Sequence, residues 1–168
     1  DHPAVVKGKA GSPYAIKDYY DIDPDLATSV PDRMKEFHNL VNRTHRAGLK
    51  MIIDFVPNHV AREYHSTCKP KGVEDLGATD NPAWAFSPLN NFYYIHEAFA
   101  PQFDMQGYSE NPARATGNDC FTAHPGKDDW YETIKLNYGV FYQNGGEQQF
   151  DPIPNTWYKM RDILLFWA

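Results

Sequence analysis

The 168 residues include 16 Lys and Arg against 22 Asp and Glu, and the net charge of −6 without a basic stripe excludes nucleic acid as a partner. A composition of 42% hydrophobic and 23% charged residues is that of a folded globular chain, and no apolar run is long enough to cross a bilayer, so no membrane partner is expected. Aromatic residues make up 15% of the chain, most of them needed for core packing, and Cys68 and Cys120 neither demand nor exclude a disulfide, which leaves the compartment open. The opening Asp1-His2-Pro3 has neither a charged nor an apolar leader region, so a signal peptide is expected to be removed or to belong to a longer parent.

Residues 1–31, rich in Pro, Gly, Asp and Tyr, read as a long loop, and loops of more than about 15 residues are usually functional or disordered. Ser29 as N-cap, Pro31 in the first turn and an acid three residues on start a helix over about 31–47. Met34, Phe37, Leu40, Val41 and Ala47 form its apolar face, and Gly48 stops it. The run Leu49–Val56 is too short for a helix and reads as a strand buried on both faces, ended by Pro57, with Asn58 and His59 where functional groups gather. Residues 60–153 lack a helical period and form a loop-rich region with short strands around Asn91–Ile95 and Thr133–Leu136. From Trp157 a second helix begins, with Met160, Ile163, Leu164 and Trp167 on one face and no stop signal before Ala168.

Asp54, Asn58 and His59 make the densest polar cluster, read either as a satisfied strand end or as an oxygen ligand beside a hydrogen-bond donor. Tyr14 offers a ring that stacks on a sugar, although packing is the commoner use of a lone tyrosine. Asp21, Asp23 and Asp25 are spaced like a calcium loop, but Leu26 stands where glycine is needed and Pro24 interrupts the turn. His59, His65 and Cys68 match no usual zinc spacing, and the sequon Asn42-Arg43-Thr44 falls within the helix. The scattered acids do not pair into a general acid and base.

The segment Asp54-Phe55-Val56-Pro57-Asn58-His59 resembles the motif at the third barrel strand of the alpha-amylase family of (β/α)8-barrel glycoside hydrolases. Tyr14–Asp18 with Tyr19-Tyr20-Asp21-Ile22-Asp23-Pro24 resembles that family's loop after strand two, and Gln149–Asn155 the closing segment of its inserted subdomain. The resemblance implies an α/β fold, a fragment of a TIM (β/α)8 barrel with an irregular inserted subdomain after strand three. Residues 1–59 would be the barrel part (loop after strand two, helix two, strand three), 60–153 the insertion, and 154–168 the start of helix three.

Carried over by position, Tyr14 stacks on the sugar ring beside the scissile bond, His59 hydrogen-bonds a hydroxyl of that ring, and Asp54 is the motif's structural acid. Asn58 and Asp151 correspond to ligands of a structural calcium in members that bind it, although Phe150 and Pro152 around Asp151 depart from the usual pattern. The chemistry implied is retaining hydrolysis of α-glucosidic bonds by two carboxylates, which needs no cofactor. The family's nucleophile and general acid lie on later strands and are expected beyond Ala168, so no residue here is assigned as catalytic, and the rest of the barrel is expected to be needed for folding. The partner implied is an α-linked glucose oligosaccharide or polysaccharide. A noncatalytic carbohydrate-binding relative, an α-glucosyl transferase of the same family and a free-standing metal-binding domain are the alternatives.

Overall fold

The computed structural model describes residues 2–168; Asp1, the first residue of the expected opening loop, lies outside them. Helix α1 spans Arg33–Arg46 and is entered through a 3-10 turn at Val30–Asp32. Glu36 reaches back to accept from the Thr28 and Ser29 backbone N–H groups, at 2.9 and 2.8 Å, satisfying donors ahead of the helix. The Ser29 hydroxyl bonds the Asp32 carboxylate at 2.9 Å and makes no side-chain bond to a helix N–H. Gly48, at φ +75°, turns the chain out of the helix in a conformation that disfavours a side chain.

The run Leu49–Val56, expected to be a buried strand, is unpaired: Leu49 is 63%, Ile52 90% and Ile53 49% exposed. A strand is stable only where a neighbouring backbone takes its N–H and C=O groups, and no described strand lies beside this run. Pairing begins two residues after Pro57 instead. Strand β1, His59–Ala61, runs antiparallel to β4, Thr133–Lys135, with His59 opposite Lys135 and Ala61 opposite Thr133. Between them β2, Tyr94–Ile95, pairs with β3, Ala113–Arg114; after them β5, Val140–Phe141, pairs with β6, Glu147–Gln148. Helix α2, Asn155–Trp167, follows. These elements form three two-stranded sheets and no barrel.

The main core joins the first loop through Tyr19 and Tyr20, β1 through Val60, Phe92 and Tyr94, Ile134 and Leu136, and α2 through Met160 and Ile163, whereas α1, despite its expected apolar face, contributes no buried residue. Of the rest of the expected α2 face, Trp167 packs partly buried against this core, whereas Leu164 is 49% exposed. A second cluster of Phe99, Ala113 and Ala123 lies inside residues 60–153. The two clusters are bridged by an ion network. Arg62, fully buried, bonds Glu110 at 2.7 Å, and Arg114 bonds the other oxygen of the same carboxylate at 2.6 Å. Arg62 also donates to the Tyr131 and Thr133 carbonyls, at 2.6 and 3.0 Å, tying β1 to the segment that carries β4.

Candidate functional site

The first loop reaches β1 through its backbone: the Ala61 N–H donates to the Ile16 carbonyl at 2.8 Å and the His65 N–H to the Lys17 carbonyl at 3.1 Å. The Tyr19 hydroxyl donates to the Val56 carbonyl at 2.5 Å, and the Tyr138 hydroxyl to Pro57 at 2.5 Å, so the segment leading into β1 is held from two sides. The outcome is that Tyr14 and His59 line one cavity of about 480 Å³, together with Ser12, Trp130, Glu132 and Thr133. The first loop and the start of β1, far apart in sequence, therefore share a surface.

The imidazole of His59 is buried and its protonation state follows from its neighbours. The Asn58 side-chain N–H2 donates to the Gly117 carbonyl at 2.7 Å and contacts His59 Nδ1 at 2.9 Å, while Asn58 Oδ1 accepts from the Lys135 ammonium at 3.3 Å. A carbonyl only accepts and an ammonium only donates, so the amide orientation is fixed. His59 Nδ1 must then accept, and the ring proton sits on Nε2. Burial holds the imidazole below its usual range; a hydrogen bond to the Tyr14 backbone opposes this, and the Lys135 charge adds to it. His59 is thus a neutral donor at pH 7.

Gly117 stands where this arrangement leaves no room. A Cβ placed on it would come within 2.8 Å of His59 Cβ and 2.7 Å of Thr133 Oγ1. Its N–H donates to the same hydroxyl, Thr133 Oγ1, at 3.0 Å. Glu132 closes the cavity on the loop side, one carboxylate oxygen accepting from the Lys7 and Ser12 N–H groups at 3.0 and 3.3 Å. Trp130 meets His59 ring to ring at 5.3 Å and 61° and is itself 47% exposed; Tyr14 is 56% exposed.

The remaining expected site residues lie elsewhere. Asp54 is exposed on the rim of a different, largely apolar groove lined by Phe37, Met51, Ile53 and Trp167, because the run it belongs to is not enclosed by neighbouring strands. The calcium pair does not fit the ion as arranged. The Asn58 oxygen takes the Lys135 ammonium, which also pairs with Asp119 at 2.5 Å, and a divalent cation beside that ammonium would be repelled. Asp151 is exposed, and among the described residues no three His, Cys, Asp or Glu side chains are placed to share a metal ion. Cys68 and Cys120 are both free thiols.

Trp130 and Glu132, which line the cavity, and Gly117 and Lys135, which hold Asn58 behind it, are not legible as site residues in the sequence, since all four come from the region without periodicity. The single cue is a tryptophan in the polar run Asp128-Asp129-Trp130, a poor place for a core residue.

Residues 3–71 match the family model described as the alpha-amylase catalytic domain. Among curated proteins, the mouse (Mus musculus) amino acid transporter heavy chain SLC3A1 is 31% identical over 124 residues, 60% of this chain and 17% of the relative. Maltase 1 of Drosophila virilis is 26% identical over 155 residues, 92% of this chain and 21% of the relative. Salivary alpha-glucosidase of Anopheles gambiae is 30% identical over 125 residues, 60% of this chain and 20% of the relative. The chain spans about a fifth of the length of these relatives. No solved structure matches.

Proposed function

We propose that this chain, whose residues 3–71 match the alpha-amylase catalytic domain, is part of the catalytic region of a retaining glycoside hydrolase and forms part of the binding site for an α-linked glucoside. The observation that carries this reading is the shared cavity of Tyr14 and His59, with an exposed aromatic ring beside a neutral N–H donor. An aromatic face covers the C–H side of a pyranose, and a neutral imidazole donates to a hydroxyl without adding a charge beside a positively charged transition state.

In retaining hydrolysis one carboxylate attacks the anomeric carbon while a carboxylic acid protonates the departing oxygen. Water then hydrolyses the glycosyl ester, with the same acid acting as base. Both carboxylates are assigned outside these 168 residues. Tyr14 holds the ring that is attacked, and the His59 Nε2–H passes from the Tyr14 backbone to a ring hydroxyl. Starch-like and short α-glucosides, such as the relatives named maltase and alpha-glucosidase suggest, are the substrate class. An α-glucosyl transferase would use the same intermediate with a sugar hydroxyl in place of water.

The test is to assay the chain and the longer protein that carries it on maltose and maltotriose. The chain alone is expected to show no turnover. In the longer protein His59→Ala is expected to lower kcat more than it raises KM, since a hydroxyl contact that tightens in the transition state acts on rate. Turnover by the chain alone would contradict the assignment of the carboxylates. The match to amino acid transporter heavy chains supports a second reading, a noncatalytic relative, and a longer protein that binds sugar without cutting it would establish that one.

A further inference from the structure

Tyr14 lies in a stretch, residues 6–23, without helix or strand, and such segments are ordinarily the most mobile parts of a fold. Here the backbone on both sides of the ring is tied down. Downstream, the Ile16 carbonyl accepts from the Ala61 N–H of β1 at 2.8 Å. Upstream, one carboxylate oxygen of Glu132 accepts from the Lys7 and Ser12 N–H groups at 3.0 and 3.3 Å. Ser12 passes that hold on: its hydroxyl accepts from the Tyr14 N–H at 3.2 Å and its carbonyl from the Ala15 N–H at 3.0 Å. Gly11, at φ +72°, lets the loop close on the carboxylate, and a Cβ there would lie 3.2 Å from Val6 Cγ1.

Glu132 is itself fixed. Its carbonyl accepts from the Arg62 N–H at 2.8 Å, and it sits in the turn before β4 that the Trp130 carbonyl closes, accepting from the Thr133 N–H at 2.8 Å and the Thr133 hydroxyl at 2.7 Å. The residue is 7% exposed, and unlike Glu110 it has no cationic partner among the described residues. Its second oxygen accepts no hydrogen bond from them either. No fully buried side-chain oxygen is left without a partner, so this one meets the open space that Glu132 borders, which is the cavity. A buried charge without a counter-ion is costly, and two N–H groups could be satisfied by a neutral acceptor; the carboxylate makes bonds roughly twice as strong. Resting on the reading of this cavity as an α-glucoside site, we propose that Glu132 is a positioning residue that acts through Tyr14. Its carboxylate fastens residues 7–12 to the start of β4 and so presents the Tyr14 ring before a ligand arrives, which lowers the ordering cost of binding.

The experiment is a double-mutant cycle in the longer protein that carries this chain, with Glu132→Ala and Tyr14→Ala made singly and together. It is read as kcat and KM for maltose, or as Kd where the protein binds without turnover. Glu132→Ala is expected to raise KM about tenfold with a much smaller change in kcat, and to add nothing once Tyr14 is alanine. Glu132→Gln keeps an acceptor for both N–H groups and is expected to recover most of the loss. Ser12→Ala removes only the acceptor of the Tyr14 N–H; it is expected to raise KM about threefold, again only while Tyr14 is present, and it carries the test if Glu132→Ala does not fold. Equal losses with and without Tyr14, a loss carried by kcat, a glutamine as damaging as alanine, or a wild-type KM in both Glu132→Ala and Ser12→Ala would overturn the inference and leave the α-glucoside reading in place. A Tyr14→Ala protein with unchanged constants, or a wild type that binds no α-glucoside, defeats that reading and the inference with it.

Discussion

At the scale of single residues, the site depends on a short chain of obligatory partners. Gly117 supplies the carbonyl that orients Asn58, and Asn58 sets the His59 tautomer. Gly117→Ala would place a methyl group within 2.8 Å of His59 Cβ, so the imidazole must move or the turn must open. Overpacking of this kind costs about 1–3 kcal/mol, and the variant is expected to lose sugar affinity by more than it loses thermal stability. Isothermal titration beside a melting curve checks both. Lys135 makes the second prediction. Its ammonium already faces the Asn58 oxygen and Asp119, so neither calcium nor a chelator should move the thermal midpoint. An ion bound at a hundred times its Kd would add about 2.7 kcal/mol, an effect that a melting curve resolves easily. Of these residues, Asn58, His59 and Tyr14 could be picked out in the sequence by motif and order. Gly117 and Lys135 could not, because their roles arise only when β4 and the turn before it fold back on β1.

At the scale of elements, local signals read well and pairing read poorly. Both helices appear close to where apolar spacing and end signals put them, and Thr133–Lys135 is a strand because alternating short runs favour that state. Leu49–Val56 has the composition of a central strand, yet composition does not supply a neighbour, and Ile52 ends 90% exposed. The Arg62–Glu110–Arg114 network was equally invisible, since two arginines and a glutamate spread over 53 positions show no spacing rule. It carries the third prediction. The two guanidinium groups hold the Glu110 carboxyl below its usual range against a burial penalty that pushes it up. A carboxyl whose folded pKa is depressed contributes stability that is fully present above its unfolded value, about 4.3, and is lost as pH falls through the folded value. Stability should therefore decline below about pH 4.3. Glu110→Gln should remove that acid-dependent part and cost about 3–5 kcal/mol at neutral pH, because two arginines lose the charge that compensates them. Denaturant unfolding at pH 7 and at pH 3.5 (a value about 1 below the free carboxyl) checks both statements.

At the scale of the whole molecule, one face is closed and one is open. The cavity side is bound together by the first loop, β1, β4 and the Trp130 turn, whereas Phe37, Met51, Ile53, Leu164 and Trp167 line an open apolar groove, with Leu49, Ile52 and Leu165 exposed as well. That asymmetry separates the part of the fold that carries the candidate site from the apolar groove on the Met51–Phe55 run. The most direct test of the account is a resonance-by-resonance titration, with maltotriose, of the longer protein that carries this chain. Saturable shifts centred on Tyr14, His59, Gly117 and Trp130, abolished together by His59→Ala, are the predicted result. Saturable binding whose shifts lie instead on the Met51–Phe55 groove, or no binding at millimolar sugar (on the order of the weakest specific affinities considered), would contradict it.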